Sequence, residues 1–273
     1  MADIHSTAVL TGDVDLATDV VVGPYCVLDG TCGPIRIGSG CRLVAQCYVT
    51  GPTTMGTGNT VWPGASLGTP PQDLGYDPLD GGAGLVIGNN NTFRELVTVH
   101  RSKTDDPTRI GNDNYFMSAA HVGHDSQIGN GVIMATGSML GGHVTVEDKA
   151  ILGGTSAFHQ FVRIGTGALV AGHAGGSCDI PPWCTVSGIN RIATQNIVGL
   201  RRSGISDDDI AAHRVVFRVM YRSRSTAPTI KSNLQSMADS GDHVAAQYLT
   251  FLNACTRPLC PGPGRTAARR SGR

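Results

Sequence analysis

Residues 110–146 read IGNDNYFMSAAHVGHDSQIGNGVIMATGSMLGGHVTV and carry an apolar side chain at every sixth position. The same period continues to residue 170 and recurs in residues 4–28, 37–67 and 87–99. It matches neither the period of about 3.6 residues of an α-helix nor the alternation of a flat strand. It is typical of hexapeptide repeats, in which each repeat forms a short strand followed by a turn. We therefore predict an all-β fold, a left-handed parallel β-helix (hexapeptide-repeat solenoid).

The composition agrees with a narrow, stacked core. Of 273 residues 37 are glycine, whereas 5% are aromatic and 15% are charged, so few large side chains are present to fill a layered core. The net charge is zero, and nothing global predicts binding to nucleic acid or to an anionic membrane. The N-terminus resembles no signal peptide, and no apolar run approaches the length of a membrane span. We expect a soluble, cytoplasmic protein without membrane insertion.

The eight cysteines are scattered along the chain and form no CxxC pair. In a long cytoplasmic chain such cysteines are mostly reduced and buried as small apolar residues. Zinc binding and redox chemistry are the minor alternatives. We predict reduced thiols that contribute to packing.

The repeats predict a solenoid domain over residues 1–185. Two consecutive prolines, Pro181 and Pro182, then interrupt the pattern, because proline cannot donate to a sheet. Helical periodicity follows, beginning at a capping-box pattern near residue 206, and predicts a small α-helical C-terminal domain over residues 186–256. Residues 257–273 are predicted to form a disordered basic tail.

Two breaks interrupt the six-residue register, at residues 69–85 and 100–109. A solenoid accommodates insertions as loops that project from one corner, and such loops often build functional sites. The first loop carries a polar and aromatic segment at residues 70–76, and the second begins with His100. We expect both loops to lie beside a groove.

Histidines recur at the spacing of one coil. A coil of three hexads places residues 17 to 19 apart on adjacent coils, about 4.7–4.9 Å from each other. His124 precedes His143 by 19 residues, and His143 precedes Gln160 by 17. After allowance for the second loop, His100 lies one coil before His121. These side chains are predicted to converge on one stretch of surface.

The pair His124 and Asp125 suggests chemistry within this cluster. A carboxylate can fix the tautomer of a neighbouring imidazole and make it a suitable general base at neutral pH. Adjacent side chains on a strand point to opposite faces, but at a turn they can meet. The alternative is that the histidines only decorate turns, which the clustering disfavours.

Several motifs then identify a family. Residues 120–130 (AHVGHDSQIGN), 141–144 (GGHV) and 157–161 (AFHQF) closely resemble the acyl-carrier-protein-dependent UDP-N-acetylglucosamine O-acyltransferases that open lipid A synthesis. Four further motifs match in order and spacing: PQDL at 71–74, VHR at 99–101, DIPP at 179–182 and NIVGLRR at 196–202. The resemblance extends over nearly the whole chain, which makes it more specific than hexapeptide repeats alone.

The resemblance implies transfer of a 3-hydroxyacyl group from acyl carrier protein to the sugar 3-hydroxyl of UDP-N-acetylglucosamine. His124 would be the general base, Asp125 its orienting carboxylate, and the backbone N–H of Gly142 the donor to the oxyanion. No cofactor, metal or covalent enzyme intermediate is implied.

The resemblance also assigns positions outside this trio. Gly172 would act as the acyl-chain ruler, because a missing side chain leaves room for a longer chain. Substrate binding is implied for Gln72, Asp73, His100, His121, His143, Gln160, Asn196 and Arg202.

The assembly and the donor are implied as well. The family forms homotrimers with the active site between solenoids. Arg214, Arg218 and Arg222 recur every fourth residue and would form a basic stripe for docking acidic acyl carrier protein. The alternative for the stripe is an ordinary solvated helix face.

Some positions depart from the family pattern. Gly75 stands where a lysine is common, Val198 replaces an acid and Ser203 replaces an arginine. The acceptor could therefore be a related UDP-amino sugar, or the chain could be a non-catalytic paralogue that binds UDP-sugar or carrier protein. A further alternative is a β-helical carbonic anhydrase with zinc on His121, His124 and His143.

Overall fold

The computed structural model describes residues 1–223 and 225–263. Short strands separated by turns fill the first two thirds of the chain, and helices follow. In chain order the first strands are β1 (Asp3–Ile4), β2 (Val9–Leu16), β3 (Val21–Val22), β4 (Val27–Ile37), β5 (Arg42–Leu43), β6 (Tyr48–Thr50), β7 (Thr53–Met55), β8 (Thr60–Val61), β9 (Ser66–Thr69), β10 (Leu85–Ile87), β11 (Thr92–Phe93), β12 (Thr98–His100) and β13 (Thr108–Ile110). The remaining strands are β14 (Tyr115–Phe116), β15 (His121–Val122), β16 (Gln127–Ile128), β17 (Ile133–Met134), β18 (Met139–Leu140), β19 (Thr145–Val146), β20 (Ile151–Leu152), β21 (Ala157–Phe158), β22 (Arg163–Ile164), β23 (Leu169–Val170), β24 (Gly175–Gly176), β25 (Cys184–Val186) and β26 (Ile192–Gln195).

The strands form the three faces of a left-handed parallel β-helix, as predicted. One face is an 11-stranded sheet that runs from β1 to β26. The other two faces belong to one 15-stranded sheet, because β4 is long enough to turn a corner and pair with β6 on one side and β7 on the other. We call the face that contains β12, β15, β18 and β21 the histidine face.

The core consists of the apolar side chains that the six-residue period predicts. Between Ile110 and Val170 all eleven of these positions are at most 5% exposed. Successive coils are in register, with Val122 opposite Leu140, so the predicted coil of 18 residues is confirmed. The first coil is different: Ile4 is 43% exposed, because no coil stacks on its outer side.

In the part of the chain that the structure describes, four helices follow the solenoid: α1 (Ile197–Arg202), α2 (Asp207–Tyr221), α3 (Ala227–Asp239) and α4 (His243–Ala254). Helix α2 begins where the capping pattern predicts, since the Ser206 side chain accepts a hydrogen bond from the Asp209 N–H. The short α1 was not predicted, and neither was β26, which adds an antiparallel strand to β25 inside the region assigned to helices. The prolines therefore end the hexad register but not the sheet.

The C-terminal segment, residues 257–263, packs on the solenoid, although the sequence predicts disorder from residue 257. The N–H of Asp179 donates to the Pro258 carbonyl, and the N–H of Cys260 donates to the Asp179 carbonyl, each at 2.8 Å. Cys260 is 1% exposed. This pairing satisfies a buried backbone, which the composition of the tail does not reveal. The rest of the predicted tail, residues 264–273, lies outside the described residues.

All eight cysteines are free thiols, and five of them are buried. Among the helices of residues 1–223 and 225–263, none has the length and apolar character needed to cross a bilayer.

Candidate active site

One corner of the histidine face repeats on three successive coils. Asp125, His143 and Phe161 all adopt positive φ, between 58° and 66°, so each coil turns in the same way. The backbone connects the coils, because the His143 N–H donates to the His124 carbonyl at 2.8 Å. The rings of His124 and His143 consequently lie 5.2 Å apart, edge to face. The structure thus brings together the histidines that the coil spacing placed on adjacent coils.

The turn lets the adjacent side chains of His124 and Asp125 meet. His124 Nδ1 lies 2.6 Å from Asp125 Oδ2, and the carboxylate is almost fully buried. Burial alone would raise the pKa of Asp125, but hydrogen bonds from Thr104, from His124 and from the backbone of Lys103 outweigh it and lower the pKa below its usual value. An ionised carboxylate only accepts, so His124 Nδ1 carries the proton and a neutral ring leaves Nε2 as an acceptor.

The loop of residues 100–109 supplies most of the donors to Asp125. The N–H of Thr104 donates to Oδ1 at 3.0 Å, its hydroxyl at 2.6 Å, and the N–H of Lys103 reaches both carboxylate oxygens at 3.1–3.2 Å. Sequence reasoning missed Lys103 and Thr104. The available signal was the break in register, which places a polar loop one coil before Asp125.

Gly142 occupies the position one coil after His124. A Cβ at residue 142 would lie 2.7 Å from His124 Cε1 and Nε2, so the imidazole needs a glycine there. The amide N–H of Gly142 donates to no acceptor within the described part of the chain. A free N–H beside the acceptor nitrogen of His124 is suited to a developing negative charge.

These groups border a cleft of about 360 Å³ on the histidine face. Most of its lining is polar, and four of the predicted substrate residues are part of it. The cleft is lined by Gln72, His100, His121, Gly123, His124, Gly141, Gly142, His159 and Gln160.

His100 presents an unpartnered acceptor in this cleft. Its Nδ1 lies 2.7 Å from the Pro70 carbonyl, which can only accept, so this nitrogen carries the proton. Burial lowers the pKa of His100, and the ring is neutral. Nε2 of His100 is then a buried acceptor without a partner among the described residues. Because a buried acceptor is normally satisfied, it marks a place for a ligand N–H or O–H.

Burial also favours the neutral form of His121, which lines the cleft, and of His143, which lies beside Asp125. Burial, followed by the charge of His100, lowers the pKa of His121 to about 4. Burial lowers the pKa of His143 as well, although Asp125, 3.7 Å from its Nε2, opposes that shift. Neutral imidazoles can both donate and accept, which suits contacts with hydroxyl and amide groups.

The first loop closes one side of the cleft. Arg101 is 1% exposed, and its guanidinium donates to the carbonyls of Gly68, Pro78 and Asp80, which pins the loop to the coil. Asp73 on this loop pairs with Lys103 Nζ at 2.6 Å. The hydrogen bond from Lys103, followed by one from the Gly75 N–H, lowers the pKa of Asp73. The two loops therefore meet beside the cleft, as expected.

Asn196 and Arg202 do not line the cleft of their own chain. Asn196 caps α1: its side chain accepts from the Gly199 N–H and donates to the Gly167 carbonyl, both at 2.9 Å. Arg202 is exposed in the last turn of the same helix. The contact of Asn196 and Arg202 with the nucleotide, which the resemblance implies, stays a prediction.

Gly172 and the arginine stripe lie in other parts of the molecule. A Cβ at residue 172 would meet its nearest neighbour, the Gly154 carbonyl oxygen, at 3.5 Å, so the surface beside Gly172 is open. Arg214, Arg218 and Arg222 are exposed on one side of α2. With Phe217 and Gln195 they line a separate depression of about 410 Å³.

Three side chains at the corner that contains His124 could in principle act as metal ligands. Among the described residues, His124, Asp125 and His143 form the one group of three whose donor atoms all lie within 4.8 Å of one another. His121, which the zinc alternative requires, is not in this group. The carboxylate already accepts hydrogen bonds from four donor groups, and the Nδ1–H of His124 is one of them. This donor set is therefore arranged for hydrogen bonding and fits a metal poorly.

Comparison with known proteins gives consistent matches along the chain. The family model "Udp N-acetylglucosamine O-acyltransferase; Domain 2" matches residues 179–260, and the bacterial transferase hexapeptide model matches residues 107–142. The acyl-[acyl-carrier-protein]–UDP-N-acetylglucosamine O-acyltransferase of Thermodesulfovibrio yellowstonii is 38% identical over 95% of this chain and 100% of its own length. The enzyme of the same name from Herminiimonas arsenicoxydans is also 38% identical, over 95% of this chain and 99% of its own.

Solved structures give the same result. The UDP-N-acetylglucosamine acyltransferase of Francisella novicida superimposes with a TM-score of 0.90 at 30% identity and covers 96% of this chain and 95% of its own. The corresponding protein from Campylobacter jejuni gives a TM-score of 0.86 at 30% identity over 95% of this chain and 99% of its own. The similarity thus includes both the solenoid and the helices.

Proposed function

The chain belongs to the UDP-N-acetylglucosamine O-acyltransferase family and is an acyltransferase, and on that premise we propose its reaction. It transfers a 3-hydroxyacyl group from acyl carrier protein to the 3-hydroxyl of UDP-N-acetylglucosamine, the first step of lipid A biosynthesis. Because acyl carrier protein is the donor, the reaction takes place in the cytoplasm. The observation that supports it best is the contact of 2.6 Å between His124 Nδ1 and the buried Asp125 carboxylate.

That contact supports general-base catalysis. With its Nδ1–H hydrogen-bonded to the ionised Asp125 carboxylate, His124 offers Nε2 to the sugar hydroxyl and takes the hydroxyl proton as the oxygen attacks the thioester carbonyl. The carbonyl oxygen becomes an oxyanion that accepts the N–H of Gly142. When the intermediate collapses, the carbon–sulfur bond breaks and the leaving thiolate takes the proton from His124 Nε2. The net products are the O-acyl sugar and the free carrier thiol.

The neutral side chains around the cleft support binding of a sugar. His100 Nε2 is an unpartnered acceptor, and Gln72, His121 and Gln160 add further donors and acceptors. Such a set suits hydroxyl and acetamido groups, which need both donors and acceptors. His143 and Asp73 support the site from the side, through Asp125 and Lys103 respectively.

Features of the exposed surface support the proposed homotrimer and the proposed binding of acyl carrier protein. Apolar side chains along the histidine face and its edges are open to solvent, including Tyr25 at 64%, Leu96 at 62% and Met139 at 46%. We propose that they are covered in a homotrimer, whose neighbouring subunit brings Gly172, Asn196 and Arg202 to the cleft. The stripe of Arg214, Arg218 and Arg222 would dock acyl carrier protein.

The reaction is tested by turnover. Purified protein is incubated with 3-hydroxyacyl carrier proteins of several chain lengths and either UDP-N-acetylglucosamine or its 3-amino analogue, and products are identified by mass spectrometry. We expect an O-acylated sugar nucleotide, a loss of about 10³-fold in His124→Ala and no loss in the control His5→Ala. Product from the amino sugar alone would establish the alternative acceptor. Binding of UDP-sugar without turnover would establish the non-catalytic paralogue.

A further inference from the structure

We propose that Arg257, at the start of the C-terminal segment, is a positioning residue of the active site. Its guanidinium holds the corner formed by His159, Gln160 and Phe161, which forms one wall of the cleft. This role rests on the proposed acyl transfer for its kinetic consequence, although the contacts themselves can be tested without turnover.

The backbone fixes the place of Arg257. Its N–H donates to Asp179 Oδ2 at 3.2 Å, and the N–H of Arg163 donates to the other oxygen at 2.7 Å. Asp179 is fully buried, so these hydrogen bonds replace its lost hydration. The backbone of Asp179 also pairs with Pro258 and Cys260. Because these contacts do not involve the arginine side chain, the segment has a hold on the solenoid that is independent of the guanidinium.

The guanidinium then reaches the corner. Arg257 Nη2 donates to the Gln160 carbonyl at 2.9 Å and to His159 Nδ1 at 3.1 Å. The same group lies over the ring of Phe161, 5.9 Å from its centroid, within range of a cation–π contact. One side chain therefore contacts three consecutive residues, and two of them, His159 and Gln160, line the cleft.

The contacts continue from this corner to the proposed catalytic pair. The Phe161 ring is stacked on His143, with the centroids 4.5 Å apart and the planes 10° from parallel. His143 Nε2 lies 3.7 Å from Asp125 Oδ2, which in turn binds His124. Phe161 is 44% exposed, and its ring lies between the His143 ring and the Arg257 guanidinium in this chain of contacts. A shift of this corner would therefore reach both the Gln160 wall and the histidine beside Asp125.

Arg257 also determines the tautomer of His159. A guanidinium only donates, so His159 Nδ1 must accept and a neutral ring carries its proton on Nε2. His159 Nδ1 also lies 3.4 Å from the Gln160 carbonyl. Without Arg257 that nitrogen could instead donate to this carbonyl. With Nδ1 occupied by Arg257, Nε2 is the His159 ring nitrogen that remains for a ligand. Arg257 thus makes this nitrogen a hydrogen-bond donor rather than an acceptor.

The first test is kinetic. We expect Arg257→Ala to lower kcat/KM for UDP-N-acetylglucosamine by about tenfold to hundredfold, because small displacements of positioning groups are costly. Arg257→Lys keeps the positive charge but lacks the planar guanidinium with its several N–H donors. Its kcat/KM should therefore lie between those of Arg257→Ala and the wild type. Arg36→Ala is the matched control, because Arg36 pairs with Asp13 at the far end of the solenoid. Circular dichroism and sedimentation confirm that each variant is folded and assembled.

A double-mutant cycle separates positioning from general stabilisation. If Arg257 acts partly through His159, then Arg257→Ala costs a much smaller factor in a His159→Ala background than in the wild type. Independent, multiplying losses would overturn the proposal, as would an unchanged kcat/KM in folded Arg257→Ala.

The second test needs no substrate. Nitrogen NMR of protein labelled with ¹⁵N-histidine, with His159 assigned by His159→Gln, reports which ring nitrogen carries the proton. We expect the Nε2–H tautomer in the wild type and a change towards Nδ1–H in Arg257→Ala. An active wild type whose His159 tautomer does not respond would overturn the positioning role and leave the proposed reaction intact. An inactive wild type whose tautomer does respond would overturn the reaction and leave the contact intact.

Discussion

The regular coils of residues 110–170 and the irregular segments that contact them are held in different ways. In the coils, backbone hydrogen bonds and stacked apolar residues repeat every 18 residues, and they place His124, Gly142 and Gln160 on neighbouring coils. The loop of residues 100–109 and the C-terminal segment have no repeat, and sets of non-repeating hydrogen bonds to Asp125 and Asp179 hold them. The comparison indicates that the coils determine where the groups lie, whereas the irregular segments determine their ionisation and orientation.

The prediction with the largest expected effect tests whether the regular coils determine where the catalytic groups lie. Gly142→Ala would place a methyl carbon 2.7 Å from the His124 ring and displace it, and we expect about 100-fold lower kcat. The control Gly154→Ala sits at another corner, where the nearest atom is 3.4 Å away, and should lose little activity. Equal activity of both variants would contradict the close approach of residue 142 to His124. The measurement is steady-state turnover at saturating substrates.

The prediction with the next largest effect tests whether the loop of residues 100–109 determines the ionisation of Asp125. Thr104→Val removes the hydroxyl that lies 2.6 Å from Asp125 Oδ1 but keeps the backbone donors, so we expect about tenfold lower kcat. Loss of that donor also raises the pKa of Asp125, and the acidic limb of the pH–rate profile should move to higher pH. The control Thr92→Val lies in a strand on a different face. A profile identical to that of the wild type would show that the loop does not set the ionisation of Asp125.

Stability should depend on pH through two histidines, the partly buried His121 of the coils and the buried His213 of α2. His121 and His213 have their pKa lowered to about 4 by burial, from an ordinary value of 6.5, so the unfolded chain binds more protons than the folded chain below pH 6.5. The free energy of unfolding is therefore highest above pH 6.5 and falls as the pH drops from 6.5 to 4. Each group contributes up to about 3 kcal/mol over this range. Urea titrations of His121→Gln should show a weaker decline than the wild type, and an equal decline would contradict the assignment.

Metal removal should have the smallest effect. Since the hydrogen bonds of Asp125 occupy the corner where His124 and His143 could act as ligands, we expect EDTA to leave turnover unchanged. Activity that disappears with chelator and returns with zinc would support the metalloenzyme alternative. Dialysed protein without additives is the control.

The parts that could be predicted from the sequence are those governed by a period. Six-residue spacing gives the core from Ile110 to Val170, and 18-residue spacing gives the neighbourhood of His124 and His143. Helix α2 was predictable from its cap and apolar stripe. Four-residue spacing also gives the stripe of Arg214, Arg218 and Arg222, but its docking role and the roles of Asn196 and Arg202 came from the resemblance and stay predictions.

The remaining contacts leave no periodic signal. Thr104 and Lys103 meet Asp125 from a loop outside the register, and Arg257 meets Gln160 from 97 residues away. Such contacts depend on where an irregular backbone passes, which local patterning does not encode. Helix α1 was missed because it has only six residues and includes Gly199.

The exposed first coil has a consequence for end-to-end association. Its strands offer unpaired backbone groups on their outer side, and a parallel sheet of this shape could in principle grow by adding another chain. Asp3, Asp13 and Asp15 are exposed on this coil, and Arg36 of the next coil pairs with Asp13 at 2.7 Å, so a chain added there would have to desolvate charged side chains. Charge on an open edge is a common protection against polymerisation. We therefore expect the charged side chains of the first coil to disfavour the end-to-end stacking of solenoids into a fibre.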